Sequence, residues 1–178
     1  MPLIHELKYL IRELVASVVL MKKTNAIRIL ESNKIKYQLF HYEFSLEEID
    51  AVSVARKINA EPESVFKTLI ARSNTNELFV FVIPGNEILN LKKAAKVSGV
   101  KKIDMIKEKE LLPLTGYIKG GCTPVGLKKP FPIFIDETAE LFDEIYISAG
   151  IRGTQMKLNP LDLIKLVNAK VEDLVWNI

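Results

Sequence analysis

Three short stretches place polar side chains or glycines beside apolar, strand-like segments, where a ligand could be held. The first is VFKTLIA, residues 65–71, in which Lys67 and Thr68 interrupt an apolar run. A lysine in a covered strand needs a partner, because burying a lone ammonium is costly. The others are TGYIKGGCTPVG, residues 115–126, and ISAGIRG, residues 147–153. Their glycines let backbone N–H groups approach a ligand closely, but the glycine-rich loop taken alone is more typical of a structural turn.

The composition argues against several kinds of active site. Cys122 is the only cysteine, and His5 and His41 are the only histidines. A disulfide framework, a CxxC or His-rich metal site and a Ser-His triad are therefore disfavoured, and neither a metal nor a cofactor is predicted. No base is implied beside Cys122, so we interpret it as a buried structural cysteine rather than a nucleophile. The neighbourhood of Gly120 and Gly121 fits neither GxxxxGK[ST] nor GxGxxG.

The periodicity of apolar residues predicts the elements that position these stretches. Residues 1–20 predict an amphipathic helical extension, followed by a domain at residues 21–178. A docking helix, a dimer contact or translation from a start upstream of Met21 would each account for the extension. Within the domain, helices are predicted near residues 24–33, 50–58, 91–97, 106–111 and 161–167, and strands near residues 37–42, 64–72, 78–83, 133–135 and 144–148. This mixture favours a single α/β or α+β domain with a mixed β-sheet.

Lysines are concentrated in one part of the chain. Residues 91–130 carry ten lysines and three acidic residues, a local excess of +7, whereas the remainder has a net charge of −4. Such polarity is typical of a surface that binds a polyanion, although a solvated lysine-rich face gives the same pattern. The single cysteine suits a reducing, cytoplasmic setting. No apolar run approaches the length of about twenty residues that a membrane span needs, so no membrane partner is predicted.

The order of motifs resembles that of a known family. KTNAIRIL, FHYEF, VFKTL, VIPG, LKKAAK, TGYIKGGCTPVGLKK, FID and IYISAGIRG follow one another along the chain. This series closely resembles the YbaK/EbsC family of Cys-tRNA(Pro) deacylases, and the resemblance covers residues 21–169. The same fold is the editing domain of bacterial prolyl-tRNA synthetases. The resemblance therefore implies a barrel-like core surrounded by helices.

The resemblance implies an enzyme that hydrolyses the ester between a wrong amino acid and the tRNA 3′ end, in trans. In the Cys-specific branch the substrate's own thiol attacks its carbonyl, expels the tRNA and leaves as a thiolactone. Such a mechanism needs no protein cysteine, histidine, metal or cofactor. The protein orients the ester and stabilises developing negative charge. The implied partners are aminoacylated tRNA and, as a source of proline specificity, prolyl-tRNA synthetase.

The catalytic set that the resemblance implies has five members. Lys67 matches the family's essential lysine and would bind the 3′-terminal phosphate or sugar or the developing oxyanion. Thr68 beside it would hydrogen-bond the substrate. Gly120 and Gly121 match glycines that leave room for the ester and offer backbone N–H groups. Ser148 matches a serine that, without a histidine base, is interpreted as a hydrogen-bonding group.

A set of substrate-binding residues follows from the same resemblance, and a set of tRNA-binding residues follows from the concentration of lysines. Substrate binding is predicted at Tyr42, Phe66, Gly150 and Arg152, although an ion pair at the surface would also account for the arginine. Largely electrostatic contact with tRNA is predicted for seven lysines. These are Lys92, Lys93, Lys96, Lys101, Lys102, Lys128 and Lys129.

The chain departs from the family pattern at two positions. Gln155 stands where some members have Asp, and Ile151 replaces a frequent basic residue. Two other functions stay open at this point. One is deacylation of Ala-tRNA(Pro) or another small aminoacyl-tRNA, and the other is a non-catalytic adaptor that binds tRNA or a synthetase. Retention of Lys67, Thr68 and the double glycine argues against the adaptor.

Overall fold

The computed structural model of the chain describes residues 4, 6–12 and 23–176. Residues 4 and 6–12 are helical, and the other residues of the predicted extension, residues 1–20, lie outside the described part. Leu7, Leu10 and Ile11 on this segment are each more than half exposed. No helix among the described residues is long and apolar enough to cross a membrane.

Five α-helices follow, and side-chain caps start most of them. The capping side chains of Thr24, Asp50, Asn90 and Asn159 accept hydrogen bonds from backbone N–H groups of the first turn, which have no partner within the helix. The helices are α1 (Asn25–Ser32), α2 (Ala51–Lys57), α3 (Leu91–Ser98), α4 (Glu108–Thr115) and α5 (Pro160–Val167). Short 3₁₀ helices span Pro62–Ser64 and Glu137–Leu141.

Eight strands of the described residues form two sheets. They are β1 (Tyr37–His41), β2 (Phe66–Ser73), β3 (Leu78–Pro84), β4 (Ile103–Met105), β5 (Ile133–Asp136), β6 (Ile145–Ser148), β7 (Thr154–Leu158) and β8 (Lys170–Glu172). The smaller sheet has the antiparallel order β1-β7-β6. The larger has the order β4-β2-β3-β5-β8, in which β3-β5 and β5-β8 are parallel.

The larger sheet is covered on both faces, which explains its long apolar runs. One face contributes Phe66 and Ile70 to a core shared with the smaller sheet and α1. The other face contributes Phe81 and Ile83 to a second core under α3. A parallel β-bridge between Val65 and Tyr146 joins the residue just before β2 to β6. The two sheets therefore meet at the first stretch, residues 65–71, and beside the third stretch, residues 147–153, which begins in β6.

The predicted α+β single domain is confirmed, and its details differ in three respects. The sheet is split in two, and the described strands do not close into a barrel. Strands β4, β7 and β8 were not predicted, since two have only three residues and the sequence of β7, TQMKL, lacks apolar alternation of strand length. Helix α4 begins two residues later than predicted and includes Pro113.

Candidate active site

A cavity of about 350 Å³ opens where β2, the end of β6, α2, α4 and the glycine-rich loop converge. Of the predicted catalytic set, Lys67, Thr68, Gly120 and Ser148 line it, and Phe66 of the predicted substrate set forms part of its wall. Residues that are separated by up to 82 positions in the sequence are thus brought to one place. The cavity wall is mostly apolar, so its few polar groups are the ones that can fix a ligand's orientation.

Two main-chain carbonyl groups hold the ammonium of Lys67. Its Nζ donates to the carbonyl oxygen of Gly85 at 3.0 Å and to that of Glu87 at 2.6 Å. Burial lowers the pKa of Lys67 below the ordinary value of 10.5, while the carboxylates of Glu87 and Asp50 act in the opposite direction. An ammonium has three donors, so one N–H remains for a ligand in the cavity.

The position of those carbonyl groups depends on the close approach of a glycine. Gly85 lies against helix α2: an added Cβ would overlap the Cβ of Ala51 and lie 2.8 Å from the carbonyl oxygen of Val65. The N–H of Gly85 also donates to that same oxygen at 2.7 Å. The turn after β3 is therefore fixed against α2 and the start of β2, and its carbonyl groups face the lysine.

The glycine-rich loop is fastened to the turn between β6 and β7. Arg152 Nε donates to the carbonyl oxygen of Lys119 at 2.7 Å, and no ion pair of Arg152 occurs within the described residues. An added Cβ on Gly120, where φ is +82°, would lie 3.4 Å from Ile49 Cβ. An added Cβ on Gly121 would lie 3.3 Å from the backbone nitrogen of Arg152. The two glycines thus permit close packing of the loop, and Gly121 is beneath the cavity wall rather than on it.

Ser148 is oriented by the glycine that follows it. The N–H of Gly150 donates to Ser148 Oγ at 3.1 Å, and Gly150 has a φ of +89°. An added Cβ there would lie 3.0 Å from Tyr117 Cε1. The Tyr117 hydroxyl donates to the carbonyl oxygen of Val125 at 2.6 Å, which anchors the ring. Ser148 therefore keeps its hydroxyl hydrogen for a ligand, while Gly150 acts from outside the cavity.

Two buried polar atoms of the cavity-lining residues have no hydrogen-bond partner within the described part of the chain. They are Thr68 Oγ1 and Gln155 Oε1. Gln155 is 5% exposed and pairs with Ser148 across β6 and β7. Gln155 is not among the site residues predicted from the sequence. Its place opposite Ser148 in a hairpin that turns at ISAGIRG is the signal that could have revealed it.

Cys122 also lines the cavity, but its environment opposes nucleophilic chemistry. Burial raises the pKa of its thiol to about 12, although hydrogen bonds with Thr115 and Thr123 act in the opposite direction. The thiol therefore stays protonated at neutral pH, whereas a cysteine nucleophile reacts as thiolate. The described residues contain no group of three His, Cys, Asp or Glu side chains that could hold a metal ion.

Charged groups that the sequence analysis did not select also border the cavity. Glu108, at the start of α4, accepts a hydrogen bond from Lys119 of the glycine-rich loop at 3.3 Å. More than half of each side chain is exposed. Exposed ion pairs of this kind are weak, so the carboxylate and the ammonium can separate to meet a ligand.

The structure places Tyr42 away from the cavity. It lies in a separate surface depression with Phe44, Glu48 and Lys57. Its N–H donates to the carbonyl oxygen of Gly153 at 2.9 Å, so its backbone steadies the turn between β6 and β7. Contact between Tyr42 and a substrate in the cavity stays a prediction.

The seven lysines predicted to contact tRNA are not equivalent. Lys93 Nζ donates to both carboxylate oxygens of Asp173 at 2.7 Å and to the carbonyl oxygen of Val175 at 2.6 Å. Lys102 pairs with Asp104 at 2.9 Å on an exposed surface. The remaining five are exposed on the surface, namely Lys92, Lys96, Lys101, Lys128 and Lys129.

Fold, cavity and comparison with known proteins agree on one class. The family model of the aminoacyl-tRNA editing domain matches residues 47–166. The chain belongs to this family. A solved structure described provisionally as a trans-editing enzyme for prolyl-tRNA synthetase has the same fold, with a TM-score of 0.73 and 24% identity over 88% of this chain and all of that one.

Curated relatives narrow the class. A protein of Enterococcus faecalis, provisionally named Cys-tRNA(Pro)/Cys-tRNA(Cys) deacylase EbsC, is 42% identical over 153 residues, which are 86% of this chain and 93% of that protein. The proline–tRNA ligase of Shouchella clausii is 29% identical over 99 residues, 56% of this chain and 17% of the ligase. The resemblance to the YbaK/EbsC family that the motifs predicted is confirmed.

Proposed function

We propose that the protein is a trans-editing deacylase that removes cysteine from mischarged Cys-tRNA(Pro). The observation that carries this proposal is the cavity in which the ammonium of Lys67, with one N–H that no described residue accepts, lies with the hydroxyl of Ser148. A cationic donor and a hydroxyl can bind the oxygens of an ester whose carbonyl is attacked. The extensive similarity to the E. faecalis relative supports cysteine as the amino acid.

In the proposed reaction the substrate supplies the nucleophile. The thiol of the cysteinyl group loses its proton, and its sulfur attacks the carbonyl carbon of the same residue. The bond between that carbon and the 3′ oxygen breaks, and the oxygen leaves with the tRNA after taking up a proton. The resulting thiolactone then reacts with water to give cysteine. The protonated state of Cys122 fits this scheme, because no protein thiolate is needed.

Seven of the predicted site residues receive a role in this proposal. Lys67 and Ser148 contact the oxygens of the ester or of the terminal nucleotide, and Thr68 offers a buried hydroxyl. Gly120 lines the space for the aminoacyl group, while Arg152 fastens the loop that carries it. Gly121 and Gly150 permit the packing that keeps both loops in place.

The remainder of the tRNA lies, in this proposal, along the exposed lysines. Lysine contacts with phosphates make binding strongly dependent on salt. Recognition of proline tRNA comes from a complex with prolyl-tRNA synthetase. The substrate is produced where tRNA is charged, and we place the enzyme in the cytoplasm for that reason.

The test compares deacylation of Cys-tRNA(Pro) and Ala-tRNA(Pro) by the purified protein. The matched variants are Lys67→Ala and Lys165→Ala, the second at an exposed position on α5. Rapid loss of cysteine alone, strongly slowed by Lys67→Ala and not by Lys165→Ala, is the expected result. Capture of the thiolactone with an added amine nucleophile checks the mechanism. Hydrolysis of alanine instead would overturn the assignment of cysteine, and hydrolysis of neither would favour an adaptor.

A further inference from the structure

The buried amide of Gln155 presents an acceptor that the described part of the chain leaves without a donor. The residue is 5% exposed, lines the cavity, and its Oε1 has no hydrogen-bond partner. A buried polar group without a partner costs about 1–3 kcal/mol. Such a group is therefore expected to meet a donor that arrives from outside, and the cavity is the route by which one arrives.

The strand pairing fixes where this acceptor stands. Gln155 is directly opposite Ser148 on the neighbouring strand and opposite Phe40 on the other side. Directly opposed residues on paired strands project from the same face of the sheet. Ser148 Oγ is already occupied as an acceptor by the N–H of Gly150. The pair therefore offers a hydroxyl donor and an amide acceptor side by side.

An aminoacyl ester brings few donors into a cavity. They are its α-amino group, the 2′-hydroxyl of the terminal ribose and, for cysteine, a weakly donating thiol. Among the side chains of the site, Lys67 can only donate, and the carboxylate of Glu108 is two-thirds exposed and paired with Lys119. The amine is the strongest donor. Of the two buried oxygens without a partner among the described residues, that of Thr68 belongs to a hydroxyl that can itself donate, whereas the amide oxygen of Gln155 can only accept and so matches the amine.

We propose that Gln155 accepts a hydrogen bond from the α-amino group of the aminoacyl ester and thereby holds the ester carbonyl beside Ser148. This inference rests on the proposed deacylase function. Gln155 acts as a positioning residue that touches the substrate without taking part in bond making. The contact of Gln155 requires the α-amino group of the substrate and does not involve the side chain of the substrate's amino acid.

The neutrality of Gln155 has a consequence for pH. An amide oxygen accepts a hydrogen bond from both –NH3+ and –NH2, whereas a carboxylate favours the charged form. Free α-amino groups titrate at about pH 7.7–8.0. The KM of the wild-type protein is therefore expected to stay constant across that pH range. The Gln155→Glu variant is expected to bind the substrate tightly at pH values below the range and to lose affinity for it at pH values above the range.

The test removes the donor and the acceptor separately. Cysteinyl-tRNA(Pro) is compared with 3-sulfanylpropanoyl-tRNA(Pro), which keeps ester and thiol but lacks the amino group. Alanyl- and propanoyl-tRNA(Pro) form a second pair without a thiol. Each is presented to the wild type, to Gln155→Met and Gln155→Glu, and to the matched control Gln38→Met on the exposed part of β1. Circular dichroism melting of every variant verifies folding.

Gln155→Met is expected to lower kcat/KM about 10- to 100-fold on the substrate with an amino group, the usual cost of a lost hydrogen bond to a charged group. On the deamino substrate it is expected to change the rate less than twofold. Equal losses on both substrates, or no loss on either, would overturn the role of Gln155. If alanine rather than cysteine is removed, the second pair gives the same decision although the assignment of cysteine has failed. If the wild type removes neither, both proposals fall together.

Discussion

Gly150→Ala is expected to damage both the fold and the site, because the new methyl group meets two separate obstacles. The first is the backbone: φ is +89°, and an L-residue in a left-handed conformation costs about 1–2 kcal/mol. The second is space, since the added Cβ would lie 3.0 Å from Tyr117 Cε1. Overpacking of this kind costs a further 1–3 kcal/mol, roughly.

Gly99→Ala provides a matched control for the first obstacle alone. Gly99 has a φ of +72°, and an added Cβ there would have no atom within 4 Å. The difference between the two variants therefore isolates the contact with the ring of Tyr117. For a chain of 150–250 residues, each kcal/mol shifts Tm by about 2–4 °C. Gly150→Ala is thus expected to melt about 2–12 °C below Gly99→Ala.

Thermal unfolding followed by circular dichroism measures this difference, with urea unfolding as an independent estimate. The deacylation rate supplies a second readout, because the N–H of Gly150 orients Ser148 Oγ. We expect a loss of more than about tenfold in Gly150→Ala and a normal rate in Gly99→Ala. Equal melting temperatures for the two variants would refute the reasoning about the ring, and a normal rate in Gly150→Ala would refute the link to the serine.

Three further predictions concern individual side chains. Lys67→Met should lower kcat/KM about 10- to 150-fold, the effect of one lost charge-assisted hydrogen bond, with Lys165→Met as control. Because burial lowers the pKa of Lys67, the ammonium loses its proton as pH rises toward 10.5, so the wild-type rate, after subtraction of spontaneous hydrolysis, should fall with rising pH before 10.5 is reached. An unchanged rate in Lys67→Met would contradict both points. Cys122, with a pKa of about 12, should react with iodoacetamide at pH 8 far more slowly than free cysteine; mass spectrometry measures the labelling, and fast labelling of the folded protein would contradict the burial. Lys92→Ala should reduce the slope of log K for tRNA binding against log salt concentration by about 1, as measured by filter binding at several salt concentrations. Lys93→Ala should mainly lower Tm, because it removes the ion pair between Lys93 and Asp173. An unchanged Tm in Lys93→Ala would be evidence against a structural role for that ion pair.

Much of the fold was predictable, because the signals are local. Thr24 caps α1 as predicted, and Pro160 starts α5 at its first position. The apolar runs of β2 and β3 and the turn between them also followed from residue type alone. Strand β7 was not predicted because its buried residues include Thr154 and Gln155. These are polar residue types that usually lie on the surface, and only the assembled sheet buries them.

The site was predictable in its residue types but not in its contacts. The resemblance selected Lys67, yet it gave no indication that the ammonium is held by carbonyl groups 18 and 20 residues away. Arg152 was predicted to bind the substrate or to form an ion pair at the surface, and its hydrogen bond to the carbonyl oxygen of Lys119 was not predicted. Gln155 was noted as a departure without a role. Each of these depends on long-range pairing, which no local pattern encodes.

The way in which Lys67 is held affects how the family can change over time. Both of its acceptors are main-chain oxygens, and every residue type carries one. Position 87 can therefore vary without removing an acceptor, while position 85 is limited by the space beside Ala51 rather than by chemistry. Covariation between Lys67 and its partners should accordingly be weak. A comparison of homologous sequences would therefore show a lysine with no covarying partner, although its position depends on the carbonyl groups of residues 85 and 87.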